Sequence, residues 1–114
     1  METIDVKGWG AMWARDLDAH RPKTVMAAVD AEASGVRCRK ILAYLHGHNV
    51  DVSSSRTIEV GCGGAVYSMI LARLGAHPTL LDYSSDALLL AKRNLGALNL
   101  NGEFVQADAF NILP

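Results

Sequence analysis

Long apolar runs are missing from this sequence: nothing in its 114 residues approaches the ~20 apolar positions that a membrane-spanning helix needs. The N-terminus also lacks the layout of a secretory signal peptide. Cysteine is scarce, and Cys38 and Cys62 suggest neither a disulfide framework nor a zinc site. A reducing cytoplasm is therefore the expected setting. Neither sign of charge dominates, since 11 basic and 12 acidic side chains leave a net charge of −1. That balance gives no general pull toward nucleic acid or an anionic membrane. No internal repeat or low-complexity tract is present. Half of the residues are hydrophobic, and the length suits one small globular domain.

The most informative stretch is Thr57-Ile58-Glu59-Val60-Gly61-Cys62-Gly63-Gly64-Ala65-Val66-Tyr67-Ser68. Thr57, Ile58 and Val60 suit a buried strand. Gly61, Gly63 and Gly64 allow positive φ and let a ligand touch the main chain. The amphipathic helix that follows turns its free N–H groups and the positive end of its dipole toward the turn. A strand, glycine turn and helix in this order bind a nucleotide-like ligand at the carboxyl end of a parallel sheet. The dinucleotide fingerprint wants a third glycine at the sixth position, where Val66 stands. A phosphate-binding Walker loop fails as well, because no Gly-Lys-Ser/Thr follows.

With its acid two residues before the first glycine, the stretch resembles the first motif of the class I S-adenosylmethionine-dependent methyltransferases. Glu59, Gly61 and Gly63 match that motif; Ala65 takes the place of the third glycine, with Gly64 just before it. Two further segments fall where the resemblance implies. Thr79-Leu80-Leu81-Asp82-Tyr83-Ser84 reads as a second strand with an acid 21 positions after Gly61. A carboxylate there accepts hydrogen bonds from both hydroxyls of a ribose. Phe104-Val105-Gln106-Ala107-Asp108-Ala109 reads as a third strand ending in another acid, similar to the family's adenine-binding motif.

The remaining segments read in chain order. Met1 to about Arg21 carries Trp9 and Trp13, which share one face at helical spacing. They serve either as a hydrophobic anchor for this arm or, as the resemblance implies, as a lid over the cofactor. A helix is predicted from Pro22 to Ser34, with Gly35 as its stop. Another follows from Val36 to His46, with Cys38, Ile41, Leu42 and Leu45 as its apolar stripe and Gly47 ending it. His46 and His48 straddle a helix end without a third ligand nearby, so no metal site is expected. Asn49 to Ser55 reads as a polar loop. After the glycine turn, Val66, Met69, Ile70 and Leu74 mark one helix face, with Arg73 snorkelling at its edge. Ser84 is the expected N-cap of the next helix, with stripe Leu88, Ala91, Leu95 and Leu98. Asn101-Gly102 then turns the chain into the third strand.

The expectation is a Rossmann-like α/β fold: a parallel β-α-β-α-β sheet preceded by N-terminal helices and truncated after the third strand. Residues 1–55 form an aromatic arm with helices, and 56–114 a cofactor-binding half-domain. Full family members build a seven-stranded sheet in which the fourth strand lies beside the first. A chain stopping at Pro114 therefore leaves the glycine-motif strand as an exposed edge, open to another copy or a second chain. A shortened chain, a proteolytic fragment or one product of a split gene would each end this way.

The resemblance also implies roles for the cofactor S-adenosyl-L-methionine. Backbone at Gly61, Cys62, Gly63 and Gly64 would face its methionine portion, and Glu59 would help hold the ammonium group. Asp82 would take the ribose hydroxyls. Tyr83 would flank the adenine unless it is a partly buried core residue. Asp108 would accept from the adenine amino group, with the Ala109 N–H nearby. Cys62 is otherwise a small apolar filler. Methyl transfer asks for alignment and exclusion of water more than for a general base, and no catalytic residue is nominated. The expected acceptor is a small molecule. The competing class is a catalytically inactive methyltransferase-like assembly module that pairs through the exposed first strand.

Overall fold

The computed structural model describes residues 11–16 and 21–111. Residues 11–16 are helical and constitute α1. Then come α2 (Pro22–Ala33), α3 (Val36–Gly47), β1 (Arg56–Val60), α4 (Val66–Arg73), β2 (His77–Asp82), α5 (Ser85–Ala97) and β3 (Glu103–Gln106). Short 3-10 turns occupy Val52–Ser54 and Ala109–Asn111. Among the described residues, no helix is long and apolar enough to cross a membrane. Trp9 and His20 lie outside them.

The three strands are parallel in the order β1-β2-β3, with Arg56 opposite His77 and Thr79 opposite Glu103. Right-handed crossovers between strands laid down in sequence order bring α4 and α5 to the same face. That face carries Leu80, fully buried together with Met69 of α4 and Leu95 of α5. Val25 and Val29, one turn apart on α2, and Cys38 of α3 complete the core from outside. The α2–α4 contact is polar at its rim. Tyr67 Oη donates to Glu32 Oε1, which also receives Arg37 Nε, and Arg73 Nη1 pairs with Asp30 Oδ1 at 3.0 Å. Arg73 thus ends in an ion pair at the surface.

Several local expectations are corrected. Ile58 and Val60 are not buried: they are 59% and 50% exposed, because no described element covers their face of the sheet and β1 is its edge. Gly47 remains helical, and Asn49 takes the left-handed turn (φ 60°) that reverses the chain after α3. The loop before β1 contains the 3-10 turn, capped by Asp51, whose Oδ1 accepts from the Ser53 N–H at 3.0 Å. Leu74, assigned to the apolar face of α4, is 47% exposed at its C-terminal end. The cap of α5 is as expected: Ser84 Oγ accepts from the Ala87 N–H at 3.2 Å.

Candidate functional site

The carboxyl ends of the three strands meet around the glycine turn. Gly61 (φ 67°) and Gly63 (φ 50°) adopt the left-handed backbone that glycine alone takes without cost. Gly64 does not; Ala65 does (φ 63°), immediately before α4. The third left-handed position thus falls on an alanine, 1% exposed, rather than on the adjacent glycine.

Hydrogen bonds to β2 and from α5 fix the turn. The Gly61 and Cys62 N–H groups donate to the Leu81 carbonyl at 2.8 and 3.1 Å. The Gly63 N–H donates to Asp82 Oδ2 at 3.1 Å. Asn94 Nδ2, reaching across from α5, donates to the Gly64 carbonyl at 2.9 Å. The Trp13 ring of α1 lies over Gly63, so closely that an added Cβ would sit 2.6 Å from Cη2. Trp13 therefore docks on the turn itself, while Trp9 lies outside the described residues.

Each of the three motif acids already serves the backbone. Glu59 Oε1 accepts the Ser68 N–H at 3.0 Å and the Ser68 hydroxyl at 2.6 Å, locking the end of β1 to α4. Asp82 uses its other oxygen, Oδ1, to accept the Ser84 N–H at 2.9 Å. Asp108 caps the last 3-10 turn, with Oδ1 accepting from the Phe110 N–H at 2.9 Å. Asp108 Oδ2 accepts from Asn111 Nδ2 at 3.2 Å. Ala109 opens that turn. The Ala107 N–H donates to the Asp82 carbonyl at 3.1 Å, which brings Asp108 beside the end of β2. Tyr83 is 59% exposed, not a core residue, and its carbonyl accepts Gln106 Nε2 at 3.2 Å.

Cys62 is buried within the turn. Burial first, then the nearby Asp82 and Glu59 carboxylates, pushes its thiol up to about 12, so it stays protonated and inert at neutral pH. Among the described residues, no three His, Cys, Asp or Glu side chains gather in a way that would hold a metal ion. An open cleft lined by Arg56, Thr57, His77, Asn101 and Glu103 lies at the opposite, amino end of the sheet.

Ser68 and Asn94 join the site only in three dimensions. Both are polar residues on otherwise apolar helix faces, and that mismatch was the available signal. Phe110, whose N–H bonds to Asp108, leaves its ring 72% exposed.

Residues 58–114 match the family model described as "Methyltransferase domain". The chain is 35% identical over 60 residues to a ubiquinone biosynthesis O-methyltransferase of Glaesserella parasuis serovar 5 (strain SH0165), covering 53% of this chain and 25% of that protein. It is 33% identical over 66 residues to an uncharacterized RNA methyltransferase of Protochlamydia amoebophila (strain UWE25), covering 57% and 15% respectively. The chain thus spans about a quarter or less of the length of these relatives. In fold it is similar to the PH0226 protein from Pyrococcus horikoshii OT3, with TM-score 0.50 and 19% identity over 71% of this chain and 37% of that one. With its motif acids and glycine turn at the carboxyl ends of a parallel sheet, and half of its length matched by the family model, the chain belongs to the class I S-adenosylmethionine-dependent methyltransferase domain family.

Proposed function

We propose that this chain is the S-adenosyl-L-methionine-binding portion of a methyltransferase acting on a small molecule in a reducing cytoplasm. The observation that carries the proposal is the bond from the Gly63 N–H to Asp82, which joins the turn after β1 to the acid ending β2. Those two groups converge at the carboxyl ends of the strands, the side on which open parallel α/β sheets bind ligands.

The residues present fit such a ligand. A Cβ at Gly61 would meet nothing within 4 Å, so the main chain is open to close approach there. Gly61, Cys62, Gly63 and Gly64 would face the methionine portion. Glu59 would reach the ammonium group, directly or through water, with the oxygen that Ser68 does not use. Asp82 accepts one N–H on each oxygen and keeps lone pairs for the ribose hydroxyls. Tyr83 would flank the adenine, and Asp108 would accept from its amino group, with the Ala109 N–H nearby. When bound, the cofactor supplies a methyl carbon already activated by the sulfonium. The chain's own task is to orient and to exclude water, so no general base is nominated.

Residues 1–55 would then be an arm with helices, and 56–114 the cofactor-binding half-domain. The near balance of charge supports a small-molecule acceptor over a nucleic acid. So does the similarity to a ubiquinone biosynthesis O-methyltransferase.

A second reading is an assembly module that pairs through β1 with another copy or another chain. The half-exposed Ile58 and Val60 on that edge strand favour it. Calorimetric titration with S-adenosylhomocysteine, beside an NAD titration, separates the readings. Saturable binding of the first and none of the second is the expected result. A folded chain that binds neither would put the assembly module ahead.

A further inference from the structure

Among the described residues the buried polar residues are Ser68, which ties α4 to Glu59 at the end of β1, and Asn94, which bonds to the glycine turn itself. Asn94 is 8% exposed on α5, where its buried neighbours are Ala87, Leu88, Leu90, Ala91 and Leu95. An apolar residue would pack there without the desolvation cost of an amide. We propose that Asn94 is a positioning residue, a latch that holds the Gly64–Ala65 peptide in one orientation and thereby keeps Ala65 left-handed. The inference rests on the turn being the cofactor cradle.

The Gly64 carbonyl and the Ala65 N–H belong to one planar unit and point in opposite directions. The carbonyl receives Asn94 Nδ2 at 2.9 Å, and the N–H donates to the Cys62 carbonyl at 2.8 Å. Rotating this plane by half a turn would carry φ of Ala65 from 63° to the ordinary negative side. That relaxation is favourable for any residue with a Cβ. It would also break both bonds and re-aim the donors at the start of α4. Asn94, arriving from a helix 30 positions away, opposes it. Glycine at position 65 would have no preference to oppose, which makes the latch dispensable.

Amide exchange followed by NMR on the ligand-free chain tests this. Asn94→Leu, of similar size and apolar, is expected to speed exchange at the Ala65 N–H about tenfold while Leu80 and Leu81 stay protected. The same variant should bind S-adenosylhomocysteine about five- to tenfold more weakly, and adding Ala65→Gly should recover most of that loss. Unchanged exchange at Ala65 would overturn the latch, as would a uniform rise that includes β2. So would a binding loss that Ala65→Gly does not recover. If the wild type fails to bind at all, the cofactor assignment falls, and exchange at Ala65 still decides the latch.

Discussion

Asp82 and Gly63, 19 positions apart, are joined by a backbone-to-carboxylate hydrogen bond of 3.1 Å. The acid that ends β2 is thereby part of the turn that ends β1. Replacing it disturbs both the turn and any ribose bound beside it. Asp82→Ala should weaken S-adenosylhomocysteine by about 1.5–3 kcal/mol, the worth of hydrogen bonds to a charged group, measured by calorimetry. Unaltered affinity would remove Asp82 from the cofactor site.

Gly61 and Gly63 share a left-handed backbone but differ in surroundings. An alanine at 61 meets nothing, whereas one at 63 meets the Trp13 ring at 2.6 Å. Gly61→Ala should cost only the backbone strain, about 1–2 kcal/mol. Gly63→Ala should cost more and shift the tryptophan emission as the ring is displaced. Combined with Trp13→Ala, Gly63→Ala should cost less than it does alone against the wild type, a non-additivity that reports the clash; equal melting temperatures for the two single glycine variants would refute the Trp13 contact.

Glu59 and Ser68 form a half-buried pair whose roles separate by assay. A double-mutant cycle on stability with Glu59→Ala and Ser68→Ala should give a coupling of about 1–3 kcal/mol. Ser68→Ala should lower stability but leave cofactor affinity intact, while Glu59→Ala lowers both. Loss of affinity in Ser68→Ala would mean that the hydroxyl faces the ligand.

The Glu32 carboxyl is held below its usual value of 4.5, first by the Arg37 guanidinium and then by the Tyr67 hydroxyl. A lowered folded value means that its contribution is complete above pH 4.5 and is lost as pH falls through that lowered value. The melting-temperature gap between the wild type and Tyr67→Phe should therefore narrow in acid. A gap that is constant from neutral pH down to pH ~3 would show that the Glu32 charge is not involved.

Much of the architecture was legible because its signals are local. Pro22 opens a helix, Ser84 caps one, and acids follow two of the three apolar strand segments at the expected distances. What was not legible depends on neighbours. The β-branched run at Ile58 and Val60 reads as buried because composition does not reveal which face a helix covers. The steric preference for glycine points to Gly64 for the left-handed role that Ala65 holds, and it is outweighed by the Ala65 N–H bond to the Cys62 carbonyl and by the bond from Asn94 to the Gly64 carbonyl. Asn94 itself reads as an ordinary helix residue until α5 is laid against the turn. The backbone partners of the three acids are visible only once Ser68, Gly63 and Phe110 are in place.

Because the Gly61 and Cys62 amides both bond to the Leu81 carbonyl, the motif that looks continuous in sequence is not self-sufficient. Its shape is supplied by a strand that the chain reaches only after the whole of α4. Every pairing in the sheet is likewise non-local, which raises contact order and slows folding relative to a helical chain of this size. During synthesis the glycine segment would emerge without its template and take its form only when β2 arrives. A peptide covering residues 57–68 alone would have the motif's letters and none of its geometry.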